Sequence, residues 1–152
     1  MASKYPSRAE IESLFKHMED GNVEEVFKRV HPDVEWTVMG THPIAGRYTS
    51  LEDFKNNTLR RLQAIMKTSP IRIKTRNVIG GGDHEWATVE LYADGVECNN
   101  GLKFENTYAW CMRFNEEGQI VQVRAYLDSA LIKQILEENE GPWVKSYRAP
   151  IV

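Results

Sequence analysis

Residues 102–128 read LKFENTYAWCMRFNEEGQIVQVRAYLD. Two runs rich in aromatic and branched side chains flank Asn115-Glu116-Glu117-Gly118, a cluster of the residues that tight turns use. The stretch therefore predicts an antiparallel hairpin, one strand over 102–114 and the next over 119–128. Placing Phe114 opposite Ile120 sets Trp110 against Arg124, Tyr108 against Tyr126 and Asn106 against Asp128. Side chains alternate between the faces of a strand, so these residues share one polar and aromatic face. Ala109, Cys111, Val123, Ala125 and Leu127 make the opposite, apolar face. The assignment depends on register, because a slip of one residue mixes the two sets.

Upstream of the hairpin, 71–79 and 85–93 read as two further strands joined by Gly80-Gly81-Gly82-Asp83. Val34, Trp36 and Val38 alternate along an earlier strand, followed by a loop over 40–49. Helices precede and interrupt this pattern. Ser7-Arg8-Ala9-Glu10 is a capping box ahead of Ile11, Leu14, Phe15 and Met18 at helical spacing. A short second helix carries Val26, Phe27 and Val30, a third starts at Ser50, and a last one spans 130–138. Four consecutive strands with short connections are antiparallel neighbours. The expected architecture is α+β: a strongly curved antiparallel sheet with helices packed on its concave face, in a single domain over 1–152. Three helices cannot fill the concave side of such a sheet, which leaves a pocket. An aromatic tail over 139–152 carries Trp143 and Tyr147 and is expected to act as a lid or a strap.

Composition narrows the function classes. The chain has 152 residues, 41% apolar and 27% charged, with a net charge of -3 and a pI near 5.8. Such a surface does not attract nucleic acid or anionic membranes. No apolar run reaches the roughly 18 residues of a membrane span, and MASKYPSRAE lacks a signal-peptide core. Cys98 and Cys111 are too few for a disulfide framework, although a bridge within the hairpin is open to them. The expectation is a cytoplasmic protein with reduced thiols.

The polar and aromatic face is either a solvated surface or a pocket wall. As a pocket wall it places Phe104, Tyr108 and Trp110 around a carboxylate, Asp128. A carboxylate among aromatic rings loses solvation and its pKa rises, which suits proton transfer. A phenol donates to a developing oxyanion, and a guanidinium such as Arg124 keeps a neighbouring carboxylate charged or binds an anion. Asn106 and Tyr126 complete the polar set, Glu90 is a candidate from the preceding strand, and Trp36 is a candidate lining residue from the first. His42 sits in the 40–49 loop, where it is placed to overhang the mouth as an acid or base. No HxH, HExxH or CxxC spacing is present, so no metal or other cofactor is expected.

These segments make the chain familiar. Val34-Glu35-Trp36-Thr37-Val38-Met39-Gly40, Pro43-Ile44-Ala45-Gly46-Arg47-Tyr48, Asn106-Thr107-Tyr108 and Gly118-Gln119-Ile120 through Tyr126-Leu127-Asp128 carry the resemblance. The sequence resembles the SnoaL-like polyketide cyclase and ketosteroid isomerase-like group, of the nuclear transport factor 2-like fold, over about residues 8 to 138. The resemblance implies a cone-shaped domain, a homodimer, and a cofactor-free acid–base site inside the cone with Asp128 at the proton-transfer position. Where the group's steroid isomerases carry a tyrosine on the first helices, this chain has Phe15 and His17. The expected function is isomerase- or cyclase-type chemistry on a small apolar oxygenated metabolite such as a polyketide or terpenoid. A dehydratase or epoxide hydrolase uses the same parts. The alternatives are a non-catalytic small-molecule-binding module and a dimeric interaction scaffold of the same fold.

Overall fold

The computed structural model describes residues 3–142. The chain opens with α1 (Arg8–Glu19), whose N-cap Ser7 accepts the Glu10 N–H through its side chain, as the capping box requires. One face of α1 buries Ile11, Leu14, Phe15 and Met18. A short α2 (Val23–Phe27) turns the chain into β1 (Val30–Val38), which begins earlier than the sequence suggests. The 40–49 loop contains a three-residue strand, β2 (Gly46–Tyr48). Then come α3 (Leu51–Phe54), a widened π-helical turn over Lys55–Leu59, and α4 (Arg60–Ala64). The second half contributes β3 (Ile73–Gly80), β4 (Trp86–Ala93), β5 (Thr107–Phe114), β6 (Ile120–Leu127) and α5 (Ser129–Glu140).

The six strands form one sheet in the order β2-β1-β6-β5-β4-β3. The α+β architecture is as expected, but the sheet is mixed, because β1 and β6 run parallel. The 81 residues of 39–119 separate them, long enough for the crossover that a parallel pair needs (roughly a dozen residues or more). In β4 the core residues Ala87, Val89, Leu91 and Ala93 alternate with the half-buried Trp86, Thr88, Glu90 and Tyr92. The inner face of the sheet is thus apolar and the helices α1 to α4 pack over it.

The expected register of the last hairpin is corrected beyond its turn. Phe114 does lie opposite Ile120, but a bulge follows and Arg113 pairs with Gln122. Val121 is the extra residue. Trp110 consequently faces Ala125, Tyr108 faces Leu127, and Arg124 faces Cys111. A bulge shifts the alternation by one position, so it moves every later side chain of β6 to the opposite face. Both cysteines are free; Cys98 is buried and Cys111 is on the outer face, where the Thr88 hydroxyl donates to it at 3.4 Å.

Candidate functional site

The helices leave a cavity of about 320 Å³ against the inner face of the sheet. That size falls in the range of small-molecule sites, about 300–1,000 Å³. Its deep wall is aromatic. Trp36 of β1 stacks on Phe54 of α3, ring centroids 3.9 Å apart and planes 17° from parallel. Trp110 of β5 meets Trp36 edge-on at 5.1 Å, and Tyr108 meets Trp110 edge-on at 6.3 Å. Phe27, Val38, Ile44, Phe104 and Leu127 fill the rest of the depth. The mouth is framed by the α1–α2 corner at Gly21 and by the 68–71 segment, with exposed Gln63, Ser69 and Pro70.

The π-helical turn has a local cause and a consequence here. It shifts hydrogen bonding by one residue, and side chains take up the freed carbonyls. Thr58 Oγ1 donates to the Phe54 carbonyl at 2.7 Å and Asn57 Nδ2 donates to that of Asp53 at 2.9 Å. Thr58 is thereby buried on the cavity wall. Such turns often mark functional sites.

The polar atoms of the cavity are few. Trp36 is 1% exposed, and its Nε1–H has no hydrogen-bond partner. Tyr108 is half-buried, its free surface lying on the cavity wall. Burial pushes its phenol well above the ordinary range, with the Asn106 side chain pulling weakly the other way. The hydroxyl therefore stays protonated and available as a donor. Asn106 lies behind it, fully buried; its Oδ1 accepts the Asp128 N–H at 3.1 Å, and its Nδ2 makes no hydrogen bond of ordinary geometry. Among the described residues, no Asp, Glu, Lys, Arg or His lines the cavity.

Of the residues singled out from the sequence, the structure brings Trp36, Phe104, Tyr108 and Trp110 together on the cavity wall, with Asn106 behind Tyr108. The others are placed elsewhere, which corrects the expected grouping. Asp128 is exposed at the N-cap of α5, where its carboxylate accepts the Leu131 N–H at 3.2 Å. The bulge turns Arg124 and Tyr126 outward; Arg124 lies over the Trp86 ring at 4.7 Å and Tyr126 is 46% exposed. Glu90 alternates with core Val89 and Leu91, so it too faces outward, within reach of Asn77 Nδ2 at 3.4 Å. His42 is 2% exposed but does not line the cavity. Its Nε2 pairs with the Met39 carbonyl at 2.8 Å, and desolvation lowers its pKa, so the ring is neutral. Trp143 and Tyr147 lie outside the described residues.

Residues 11–123 match the SnoaL-like domain. The chain belongs to the SnoaL-like family. Two curated relatives are similar to it along nearly its whole length. Dimerizing cyclase phiC, from a fungal species, is 36% identical over 95% of this chain and 63% of its own length. Dimerizing cyclase tstC of Talaromyces stipitatus is 34% identical over 90% of this chain and 60% of its own. The chain thus spans about three fifths of the relatives it matches. Among solved structures, an NTF2-like protein of Burkholderia thailandensis shares the fold with a TM-score of 0.68 at 22% identity, covering 90% of this chain and 98% of that one.

Sequence reasoning passed over several cavity residues of this SnoaL-like chain, above all Phe27, Phe54, Thr58 and the 68–71 segment. Phe27 and Phe54 are apolar positions on short helices. Nothing in the sequence pattern distinguishes a helix face that meets the sheet from one that meets a void. Among the described residues there is no cluster suited to a metal ion, and no helix is long and apolar enough to cross a membrane.

Proposed function

We propose that the chain is a cofactor-independent catalyst of the cyclase or isomerase type, acting on a small apolar oxygenated metabolite held in the aromatic cavity. The observation that carries this reading is a cavity of about 320 Å³, open at one mouth and walled by Trp36, Phe54, Trp110 and Tyr108, in a chain more than a third identical to a protein named as a cyclase. Trp36, Phe104 and Trp110 shape the ligand and hold it in a folded conformation. Bringing the ends of one molecule together replaces an improbable encounter by a prepaid one. Tyr108 donates a hydrogen bond to a substrate oxygen, where negative charge builds as a carbonyl is attacked or enolised. Asn106 sits behind Tyr108 as its positioning residue. Asp128, His42 and Arg124 have no part in this chemistry.

The homodimer implied by the resemblance belongs to the same reading, and Tyr126 on the outer sheet face is available to it. Light scattering on the purified chain tests it directly, against a monomer mass of 17.5 kDa.

A second reading, a binding module without chemistry, is favoured by one observation: no acid or base lines the cavity among the described residues. One experiment separates the two. The purified chain is incubated with a panel of linear and cyclised polyketide-like ketones, with and without a chelator, and products are followed by mass spectrometry. Turnover that survives the chelator and falls sharply in Tyr108→Phe supports the catalyst. Saturable binding with no product from any substrate supports the module.

A further inference from the structure

The mouth of the cavity has one firmly held side and one loosely held side. The firm side is the α1–α2 corner, where the Gly21 N–H donates to the Met18 carbonyl at 3.2 Å and the Asn22 N–H to that of His17 at 2.8 Å. The other side is the 68–71 segment. Ser69 and Pro70 are exposed to solvent and also line the cavity, so a single thickness of chain separates the two there. The segment is tied down at its ends. Before it, the Lys67 and Thr68 N–H groups donate to the Glu97 carbonyl at 2.9 and 3.2 Å, and Thr68 Oγ1 accepts the Glu97 N–H at 2.9 Å. After it, the Arg72 guanidinium donates to the Glu19 carbonyl at 3.4 Å, and the Thr75 N–H to the Glu19 carboxylate at 3.1 Å. Between these ties, Ser69, Pro70 and Ile71 make no hydrogen bond among the described residues. Exposed chain with so few hydrogen bonds opens locally at low cost.

The crown of the segment is seated on Gly21. A Cβ at residue 21 would stand 2.6 Å from Pro70 Cγ and 3.1 Å from Pro70 Cβ, closer than carbon atoms pack (about 3.5–4.0 Å). Glycine alone lets Pro70 come down this far, and its φ of +78° is one that glycine adopts freely. The proline ring is fused to its own backbone and cannot turn aside. A side chain at residue 21 would therefore displace the whole segment.

We propose that residues 68–71 are a flap hinged at Thr68 and Arg72, that Gly21 is its seat, and that a ligand enters and leaves when Pro70 lifts off Gly21. This rests on the proposed function's assignment of the cavity as the ligand site and adds the control of access to it. A flap that must open for passage in either direction sets the rates of entry and exit together. Affinity is their ratio, and it stays with the deep wall from Trp36 to Tyr108, which the flap leaves unchanged.

The test follows prodan, a naphthyl ketone whose fluorescence shifts as it leaves water, binding to the full chain in stopped flow. In the double variant Gly21→Cys, Pro70→Cys, seat and flap carry Cβ atoms near the separation that a disulfide spans (roughly 3.5–4.5 Å). Once diamide has formed the bridge, verified by mass, association and dissociation should each slow at least about tenfold, because passage requires the opening that the bridge forbids. Dithiothreitol should restore both rates in the same sample, which also shows that the variant is folded. The unaltered chain, with Cys98 and Cys111, receives the same treatments and should not respond. Pro70→Ala leaves the flap without a ring to seat and should speed both rates about threefold or more while Kd holds within about twofold. A bridged chain that exchanges prodan as fast as its reduced form overturns the inference and leaves the cavity as a ligand site. So does Pro70→Ala with the rates of the unaltered chain, or with a changed Kd that comes from dissociation alone, and this variant decides the matter if the bridge does not form. If the unaltered chain takes up no prodan, both the inference and the proposed function fall.

Discussion

Asn106 and Asp128 hold the end of the sheet to the start of the last helix. The Asp128 N–H donates to Asn106 Oδ1 at 3.1 Å, while the Asp128 carboxylate accepts the Leu131 N–H at 3.2 Å. The two side chains form a relay of backbone satisfaction, and the carboxylate spends its capacity on a helix terminus. Asp128→Ala should therefore cost about 1 kcal/mol, as loss of an N-cap does, or roughly 2–4 °C in Tm for a domain of this size. Asp128→Asn keeps the cap and should be nearly neutral. Neither should change ketone binding. Thermal melts with parallel titrations measure all three.

Asn106→Ala leaves the Asp128 N–H without its acceptor in a part-buried position, at a cost of about 1–3 kcal/mol. Because both residues serve one junction, the Asn106→Ala, Asp128→Ala double variant should lose less than the sum of the single losses. Urea unfolding of the four proteins in the cycle gives the coupling.

The phenol of Tyr108 is held above its ordinary pKa of 10.0 by burial. The folded chain then binds more protons than the unfolded one once pH passes that value, so stability declines as pH rises through it. Below it the contribution is fully present. Ultraviolet titration should show the Tyr108 phenol refusing to ionise until the protein unfolds. Tyr108→Phe should remove that resistant group and flatten the alkaline branch of stability.

His42 shows the opposite sign. Burial lowers its pKa below the ordinary 6.5, and the Met39 carbonyl offsets this only in part. The unfolded chain takes up the proton first, so stability should fall as pH drops below that value. His42→Gln, which keeps a donor for the Met39 carbonyl, should weaken this acid dependence. Unfolding in urea at pH 5 and pH 7 compares the two chains.

Arg124 lies over the Trp86 ring on the outer face, at 4.7 Å. Arg124→Ala should cost no more than about 1 kcal/mol, the scale of an exposed cation–π contact. Ketone binding should be unaffected, because the guanidinium is on the far side of the sheet from the cavity. A loss of binding in this variant would mean that β6 presents its other face.

The fold was largely legible in the sequence. Helical spacing from Ile11 to Met18, the Ser7 cap and the strand over 85–93 are local patterns, and each appears where it was read. The parallel pairing of β1 with β6 was not, because nothing local specifies which distant edge receives a strand. The site was half legible. Trp36, Phe104, Tyr108 and Trp110 are large apolar groups whose burial the core enforces under any register. Arg124, Tyr126 and Asp128 depended on the phase of β6. The phase change had a signal: Ile120 and Val121 are adjacent apolar residues, and the buried set then resumes at Val123 and Ala125 rather than Gln122 and Arg124. Two apolar neighbours at the head of an alternating strand are what a bulge leaves behind.

That unpaired Val121 has an evolutionary reading. Deleting it would leave every later pairing of β6 as it is, with Trp110 still opposite Ala125 and Tyr108 opposite Leu127. Drawing it into the ladder would instead set Arg124 opposite Trp110 and Tyr126 opposite Tyr108, turning a guanidinium and a phenol inward. The character of this wall therefore depends on one residue staying looped out of the ladder, with the composition of the strand unchanged. Ligand preference on this scaffold has a frame-setting position distinct from point substitutions in the wall itself.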